Sequence, residues 1–245
     1  PDDCSIFSHS VLIKACDIAG SLDLRNIKVS GDIDITDTKV NLDIEIGADY
    51  ERSDTSGKIS GQLPLETRCH ELRMLGVLAN GHIDFTGLKA SKIDASGSII
   101  YRQWIFISKE HEALRAVITE ELNLTDTEGE EIILSGTNMT KPKQLAILER
   151  AKFNKLIIYN PLPCFNLSGA VIGKWEFKGP FNRNSIENYI DILDRVNPFD
   201  KSVYLNVERM LNNEGDSNGA EKIHRAMHRK ERKEIKCIPK NYYRW

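Results

Sequence analysis

Leu72-Arg73-Met74-Leu75-Gly76-Val77-Leu78-Ala79-Asn80-Gly81-His82-Ile83-Asp84-Phe85 places its apolar side chains in short bursts two residues apart: Leu72/Met74, Val77/Ala79 and Ile83/Phe85. Alternation of this kind marks an extended strand with one face buried. The bursts are too short for helices, and Asn80-Gly81 supplies turn chemistry between two of them. The same pairing recurs outward in both directions, as in Leu22/Leu24, Ile33/Ile35, Leu42/Ile44, Leu122/Leu124, Leu156/Ile158 and Trp175/Phe177.

The bursts share an internal spacing. Leu22, Leu24, Ile27, Val29, Ile33 and Ile35 superimpose without a gap on Leu72, Met74, Val77, Ala79, Ile83 and Phe85. Phe165, Leu167, Ala170, Ile172, Trp175 and Phe177 match with one residue deleted. Gly20, Gly31, Gly61, Gly81, Gly97 and Gly173 each precede an apolar position by two, where tight bends are expected. Self-similarity at about 10 residues per half-coil, about 20 per coil, is the pattern of a solenoid. A β-sandwich also has short strands at such intervals, but its strands do not repeat one internal spacing three times. The fold class read from the sequence is therefore mainly β, a right-handed parallel β-helix. It divides into an N-terminal cap over 1–17, the β-helix over 18–180 and a helical hairpin with a basic tail over 181–245.

Two stretches interrupt the repeat. Residues 48–60 are polar and read as an excursion loop, and residues 101–120 read as a wider coil or a small helix around His111–Val117. After Gly179-Pro180 the period changes. Asn184 or Ser185 can cap a helix carrying Ile186, Tyr189, Ile190 and Leu193 on one face, which Asn197-Pro198 ends. A second helix follows from about Asp200 to Asn213 with Val203, Tyr204, Val207 and Leu211 inward. A third starts near Ser217 and carries Ala220, Ile223, Met227 and Ile235.

The block Leu-x-Leu-x-x-Ile/Val-x-Val/Ala-x-x-x-Ile-x-Ile/Phe resembles bacterial β-helix proteins related to the pentapeptide-repeat group over roughly 18–180. The strict five-residue repeat of that group is absent, which puts its square cross-section in question. Tyr204, Val207, Leu211, Gly215 and Ala220 resemble a single tetratricopeptide helical hairpin, with Glu208, His224 and Arg232 departing from that pattern. The resemblance implies a partner-binding hairpin at Tyr204, Val207 and Leu211. One such repeat cannot bury its own face, so it is expected to lean on the last β coil or on a partner. Similar β-helix-plus-hairpin chains precede a membrane segment, which implies a cytoplasmic location at the inner face of a membrane.

Charge is polarised. Residues 222–245 hold nine Lys/Arg against two Asp/Glu, while the whole chain carries a net −3. The candidate membrane- or acidic-partner-binding residues are Arg225, Arg229, Lys230, Arg232 and Lys233. With Tyr242-Tyr243-Arg244-Trp245 they suit an anionic headgroup boundary, and they suit a solvated basic helix as well. The acidic body disfavours a nucleic-acid backbone. A protein partner is expected, with self-association through uncovered coil ends as a further expectation.

The five cysteines (4, 16, 69, 164, 237) are odd in number and contain no Cys-x-x-Cys pair, so reduced thiols are expected. The Asn-x-Ser/Thr triplets at Asn123, Asn138 and Asn166 are of a kind that chance supplies in such a composition. No secretory signal opens the chain. It begins on Pro1 without a methionine, as a fragment would, so that observation says little of the intact protein. Nucleotide-loop, nucleophile-elbow and zincin motifs are absent. His224 and His228, four apart on a helix, have metal-chelating spacing, but the only nearby thiol is Cys237 and no metal or cofactor is assigned. Cys69-His70 would face opposite sides of a strand and so cannot act as nucleophile and base. Asp23, Asp32, Asp34, Asp43, Glu45, Asp84 and Asp94 would stack outward between strand positions, where alternation already demands polar residues. They keep a carbohydrate-active β-helix enzyme open as the alternative to a non-enzymatic interaction or scaffold module.

Overall fold

A computed structural model describes residues 5–7, 9–47, 67–106, 116–135, 145–159, 164–178 and 185–237. The strands are β1 (Ser5–Phe7), β2 (Val11–Lys14), β3 (Asp17–Ile18), β4 (Leu22–Asp23), β5 (Ile27–Val29), β6 (Ile33–Thr36), β7 (Lys39–Val40), β8 (Ile44–Glu45), β9 (Glu71–Arg73), β10 (Leu78–Ala79), β11 (Ile83–Asp84), β12 (Lys89–Asp94), β13 (Ile99–Ile105), β14 (Val117–Asn123), β15 (Glu128–Leu134), β16 (Leu145–Ile147), β17 (Lys152–Ile158), β18 (Phe165–Asn166) and β19 (Val171–Phe177). Three helices follow, α1 (Ile186–Asp194), α2 (Lys201–Asn213) and α3 (Ser217–Cys237).

The architecture is mainly β, with parallel pairing between every two neighbouring strands. One sheet of seven runs β2-β6-β9-β12-β14-β16-β18; a sheet of ten runs β3-β7-β10-β13-β15-β17-β19, with β4-β8-β11 joining it through β13. Each strand lies beside its counterpart one coil later. Val11 faces Ile33, and Phe153 faces Ile172, steps of 22 and 19 positions. This repetition is consistent with a β-solenoid. Inward residues stack in columns such as Ile44, Ile83, Trp104, Ile132, Leu156 and Trp175, all buried.

A single corner, repeated, turns the chain from the seven-stranded sheet to the ten-stranded one. Ala15, Asp37, Gly76, Gly97, Asp126, Arg150 and Gly169 all have φ between 50° and 70°. The amide of Asp37 donates to the carbonyl of Leu75, Gly76 to Ser96, Gly97 to Thr125, Asp126 to Glu149 and Arg150 to Ser168, so these corners lie one above another. Just inside the corner, the buried hydroxyls of Thr38, Ser98 and Thr127 donate to the carbonyls of Thr36, Met74 and Leu124. These hydroxyls add donors at the corner, where the Thr36 carbonyl also accepts from the Ala15 amide.

The structure corrects the sequence overlay in one place. Leu72 pairs with Ile33 and belongs with Phe165, through Ile93, Leu122 and Ala146. Leu22 instead pairs with Ile44, on a different face. The first of the three superimposed blocks is therefore slipped by one face, because neighbouring faces carry inward pairs at nearly the same spacing. Of the five such glycines among the described residues, Gly31, Gly81 and Gly173 work by close approach and Gly97 by a left-handed φ: a Cβ on Gly81 would fall 1.8 Å from the Asp43 carboxylate and one on Gly31 2.5 Å from the His9 carbonyl. Residues 48–60, Gly61 and His111 lie outside the described residues. Of the expected 111–117 helix, Val117 opens strand β14.

The helices close over the last coil. Ser185 caps α1 and Asp200 caps α2, each with its side chain accepting a backbone N–H two or three residues on. Residues Arg195–Asn197 run against β18 as a partial further rung: the Phe165 amide donates to Arg195 and the Asn197 amide to Phe165. Tyr189 meets Phe177 edge-to-face with ring centres 4.9 Å apart. Coil and helices share one apolar core, so the hairpin leans on the last coil as expected.

Gly47 lies where successive coils touch, and a Cβ there would sit 1.8 Å from the Thr86 carbonyl, whereas one on Gly20 would meet nothing within 4 Å. Gly47→Ala is expected to cost about 2 kcal/mol and Gly20→Ala to stay within about 0.5 kcal/mol of the parent. Urea denaturation measures both, and equal losses would refute the rung-spacing account.

Candidate functional site

The cross-section of the solenoid changes at β13. On its N-terminal side the ten-stranded sheet is made of separate pieces, β10 and β11, joined by a three-residue link. On its C-terminal side β15, β17 and β19 each run unbroken through the bend. The circuit is thus one residue shorter there, and the register between β13 and β15 shifts between Ile100 and Gln103 to absorb the difference. A bulge of this kind re-aims side chains. Here Tyr101 and Arg102 both turn to solvent, and Tyr101 is 57% exposed.

Beside the bulge lies an open trough of about 500 Å3, crossing β13, β15, β17 and β19. Tyr101, Glu128, Glu130, Lys152, Asn154 and Val171 line it. Glycine makes the close bend feasible. A Cβ on Gly129 would lie 2.9 Å from the Trp104 ring, and one on Gly173 2.8 Å from the Asn154 carbonyl. Trp104 is fully buried under the trough floor and contacts Phe85 and Phe153. The rim is part polar and part apolar: Lys152 pairs with Glu128 at 2.6 Å, and Val171 is 55% exposed at the far end. An exposed pair of this sort contributes little stability, so its groups remain free to exchange partners. Apart from Gly173, read as a bend, none of the lining residues was selected from the sequence. The only local signal was poor fit to the repeat over 101–120, and the bulge lies at the start of that stretch.

The second arm of the bent sheet carries a charge ladder. Gln103 donates to Glu131, Lys155 lies 3.3 Å from Glu131 and 2.6 Å from Glu176, and Lys178 also pairs with Glu176. Hydrogen bonds from Lys155 and Lys178 pull the Glu176 carboxyl down to about 2. On the same arm, Ile133 and Ile157 form a small second apolar cluster with Ile105 and Tyr159, separate from the main core. The stretches Trp104–Phe106 and Leu156–Tyr159 are apolar in sequence because both faces of this arm bury side chains.

The acidic wall residues stand outward and are locally partnered. Asp23 pairs with Arg25, Asp34 with Lys14 and Asp43 with His82, while Asp84 accepts from the Thr86 amide and Asp94 from Ser96 and Asn123. Cys69 points inward and burial pushes its thiol up to about 12, with Asp32 and Glu71 adding to the rise; His70 points outward beside Asp32. No group of three or more His, Cys, Asp or Glu suited to a metal occurs among the described residues.

Tyr204, Val207 and Leu211, expected at the partner-binding hairpin, are buried within the chain at 0%, 0% and 3% exposure. The Tyr204 hydroxyl donates to the Leu193 carbonyl at 2.9 Å. These side chains hold α2 against α1 and the last coil, so a partner would meet outward groups such as Leu205. The basic residues divide in two. Arg225, Arg229, Arg232 and Lys233 are exposed, with Arg225 paired to Glu221 and Arg232 donating to the His228 carbonyl. Lys230 instead reaches across to α1, donating to the carbonyls of Asp194 and Val196. A cation at a helix C-terminus satisfies carbonyls that have no partner inside the helix and favours the dipole. The run Tyr242-Tyr243-Arg244-Trp245 lies outside the described residues. No described helix is long and apolar enough to cross a membrane.

Compared with protein-family models, curated proteins and solved structures, the chain matches none.

Lys230→Gln is expected to destabilise the chain by about 1 kcal/mol, while Arg229→Gln leaves stability unchanged; thermal melts of the two variants decide. The Glu176 carboxyl has a folded value depressed from 4.5 to about 2. Its ion pairs therefore stabilise the fold fully above pH 4.5, and this stabilisation is lost as pH falls towards 2. Glu176→Gln is expected to flatten the fall of melting temperature between pH 5 and 2, and an unchanged slope would count against the ladder.

Proposed function

We propose that this chain is a non-catalytic interaction module, a right-handed parallel β-helix whose trough receives an extended segment of a protein partner. The right hand follows from the strong preference of parallel crossovers within one sheet. The observation that carries the functional reading is the trough at the β13 bulge, with Tyr101 and Val171 exposed at its two ends and Glu128, Glu130, Lys152 and Asn154 between them. An exposed aromatic and an aliphatic group separated by hydrogen-bonding side chains suit the alternating pockets and polar contacts of an extended peptide. The exposed row Arg225, Arg229, Arg232 and Lys233 on α3 provides a second, cationic contact for an acidic partner or an anionic membrane surface. In this reading the location is cytoplasmic, at the inner face of a membrane.

A carbohydrate-active site is the competing reading. Glu128, Glu130 and Tyr101 are groups that a sugar-cleaving trough also uses. Selection of a random-peptide display library on the chain is expected to enrich sequences whose binding falls at least tenfold when Tyr101→Ala and Val171→Asp are combined. Peptides insensitive to that double change, or polysaccharide turnover that Glu130→Gln abolishes, would overturn the proposal.

A further inference from the structure

We infer that His224 and His228 form a two-histidine binding site for a divalent transition-metal ion on α3. The residues are four apart, so both rings stand on one face of the helix. Each ring is held by a carboxylate on the same nitrogen. His224 Nδ1 lies 3.0 Å from Glu208 Oε2 on α2, and His228 Nδ1 lies 3.0 Å from Glu231 Oε2 one turn further along α3. An ionised carboxylate can only accept, so both Nδ1 atoms carry hydrogen. A ring protonated at Nδ1 alone keeps a lone pair on Nε2.

Those two Nε2 atoms face each other at 3.1 Å, with the rings inclined at 77°. Two lone pairs opposed at that distance repel, and a cation between them turns repulsion into coordination. Imidazole nitrogens bind zinc at about 2.0–2.1 Å, so ligands at square to tetrahedral angles stand about 2.9–3.4 Å apart. The observed separation falls inside that range. The Nδ1–H to carboxylate contact is also the outer-shell arrangement that orients metal-binding histidines and raises their basicity. Both imidazoles are close to half exposed, at 46% and 45%, so an ion reaches the site from solvent.

The surroundings define what the site takes. Lys201 lies 3.7 Å from Glu231, which places a cation beside that carboxylate. With no third His, Cys, Asp or Glu converging among the described residues, the chain supplies two nitrogens, and water or a donor from another molecule fills the remaining positions. Imidazole nitrogen suits copper, nickel and zinc, with copper(II) the tightest in the general order of divalent ions. Because Glu208 belongs to α2, occupancy ties α2 to α3.

The test is isothermal titration of the untagged chain with copper(II), nickel(II) and zinc(II) chlorides, with electron paramagnetic resonance of the copper form. The expected result is one ion per chain with two-nitrogen coordination and the order copper above nickel and zinc. His224→Ala and His228→Ala should each weaken binding at least tenfold. Glu208→Gln should weaken it several-fold with helix content unchanged by circular dichroism, and Glu208→Asp should restore part of the loss. Binding indifferent to both alanine variants would overturn the inference. So would an absence of binding by all three ions.

Discussion

Everything in this molecule depends on the parallel register between successive coils. Backbone groups of one coil are satisfied by the next, from Val11 against Asp32 at one end to Phe165 against Arg195 at the other. A buried backbone donor without a partner is costly, so any side chain that forces neighbouring coils apart is penalised along the whole circuit. That is why small or left-handed residues recur where coils touch or turn. The corner from Ala15 to Gly169 uses glycine at three positions, aspartate at two, and Ala15 and Arg150 at the remaining two. At Arg150 the side chain offsets part of the conformational cost by lying along Asp126 one coil earlier.

Register also explains where the surface departs from a plain wall. A solenoid whose circuit shortens by one residue must put the mismatch somewhere. Here it falls on β13, the strand that touches segmented neighbours on one side and continuous ones on the other. The cost is confined by packing the large Trp104 ring against Gly129 beneath the mismatch. Trough and bulge are therefore one feature seen from outside and from within.

The C-terminal end solves a different problem. The final coil would present β18 and β19 as open edges. Residues 195–197 supply a short rung to β18, and Asp200 accepts from the Gly169 amide at the last left-handed corner while also capping α2. One carboxylate thus joins the end of the repeat to the start of the hairpin. Tyr189, Tyr204 and Val207 then complete the core. The hairpin's apolar face serves the fold, and its outer faces carry the charged rows and the paired histidines.

Period-two bursts, their recurrence near 20 residues and the switch to helical spacing after residue 180 were legible in the sequence, because inward positions of a narrow solenoid tolerate little but apolar side chains. Helix starts were legible too: of Asn184 and Ser185, Ser185 is the cap, and Asp200 opens the second helix as its cap. Which face each burst belongs to was not, since consecutive faces repeat nearly the same spacing, and Leu22 was consequently matched to the wrong column. The trough was hidden for a related reason: Tyr101, Glu130, Asn154 and Val171 are scattered over some seventy positions and meet only because register stacks them. Spacing alone brought His224 and His228 to notice, but the orientation of the His224 ring depends on Glu208, which only the packing of α2 against α3 brings near. Local periodicity thus determined the kind of fold. The tertiary structure alone decided which side chains share a wall, because that depends on hydrogen-bond register between coils.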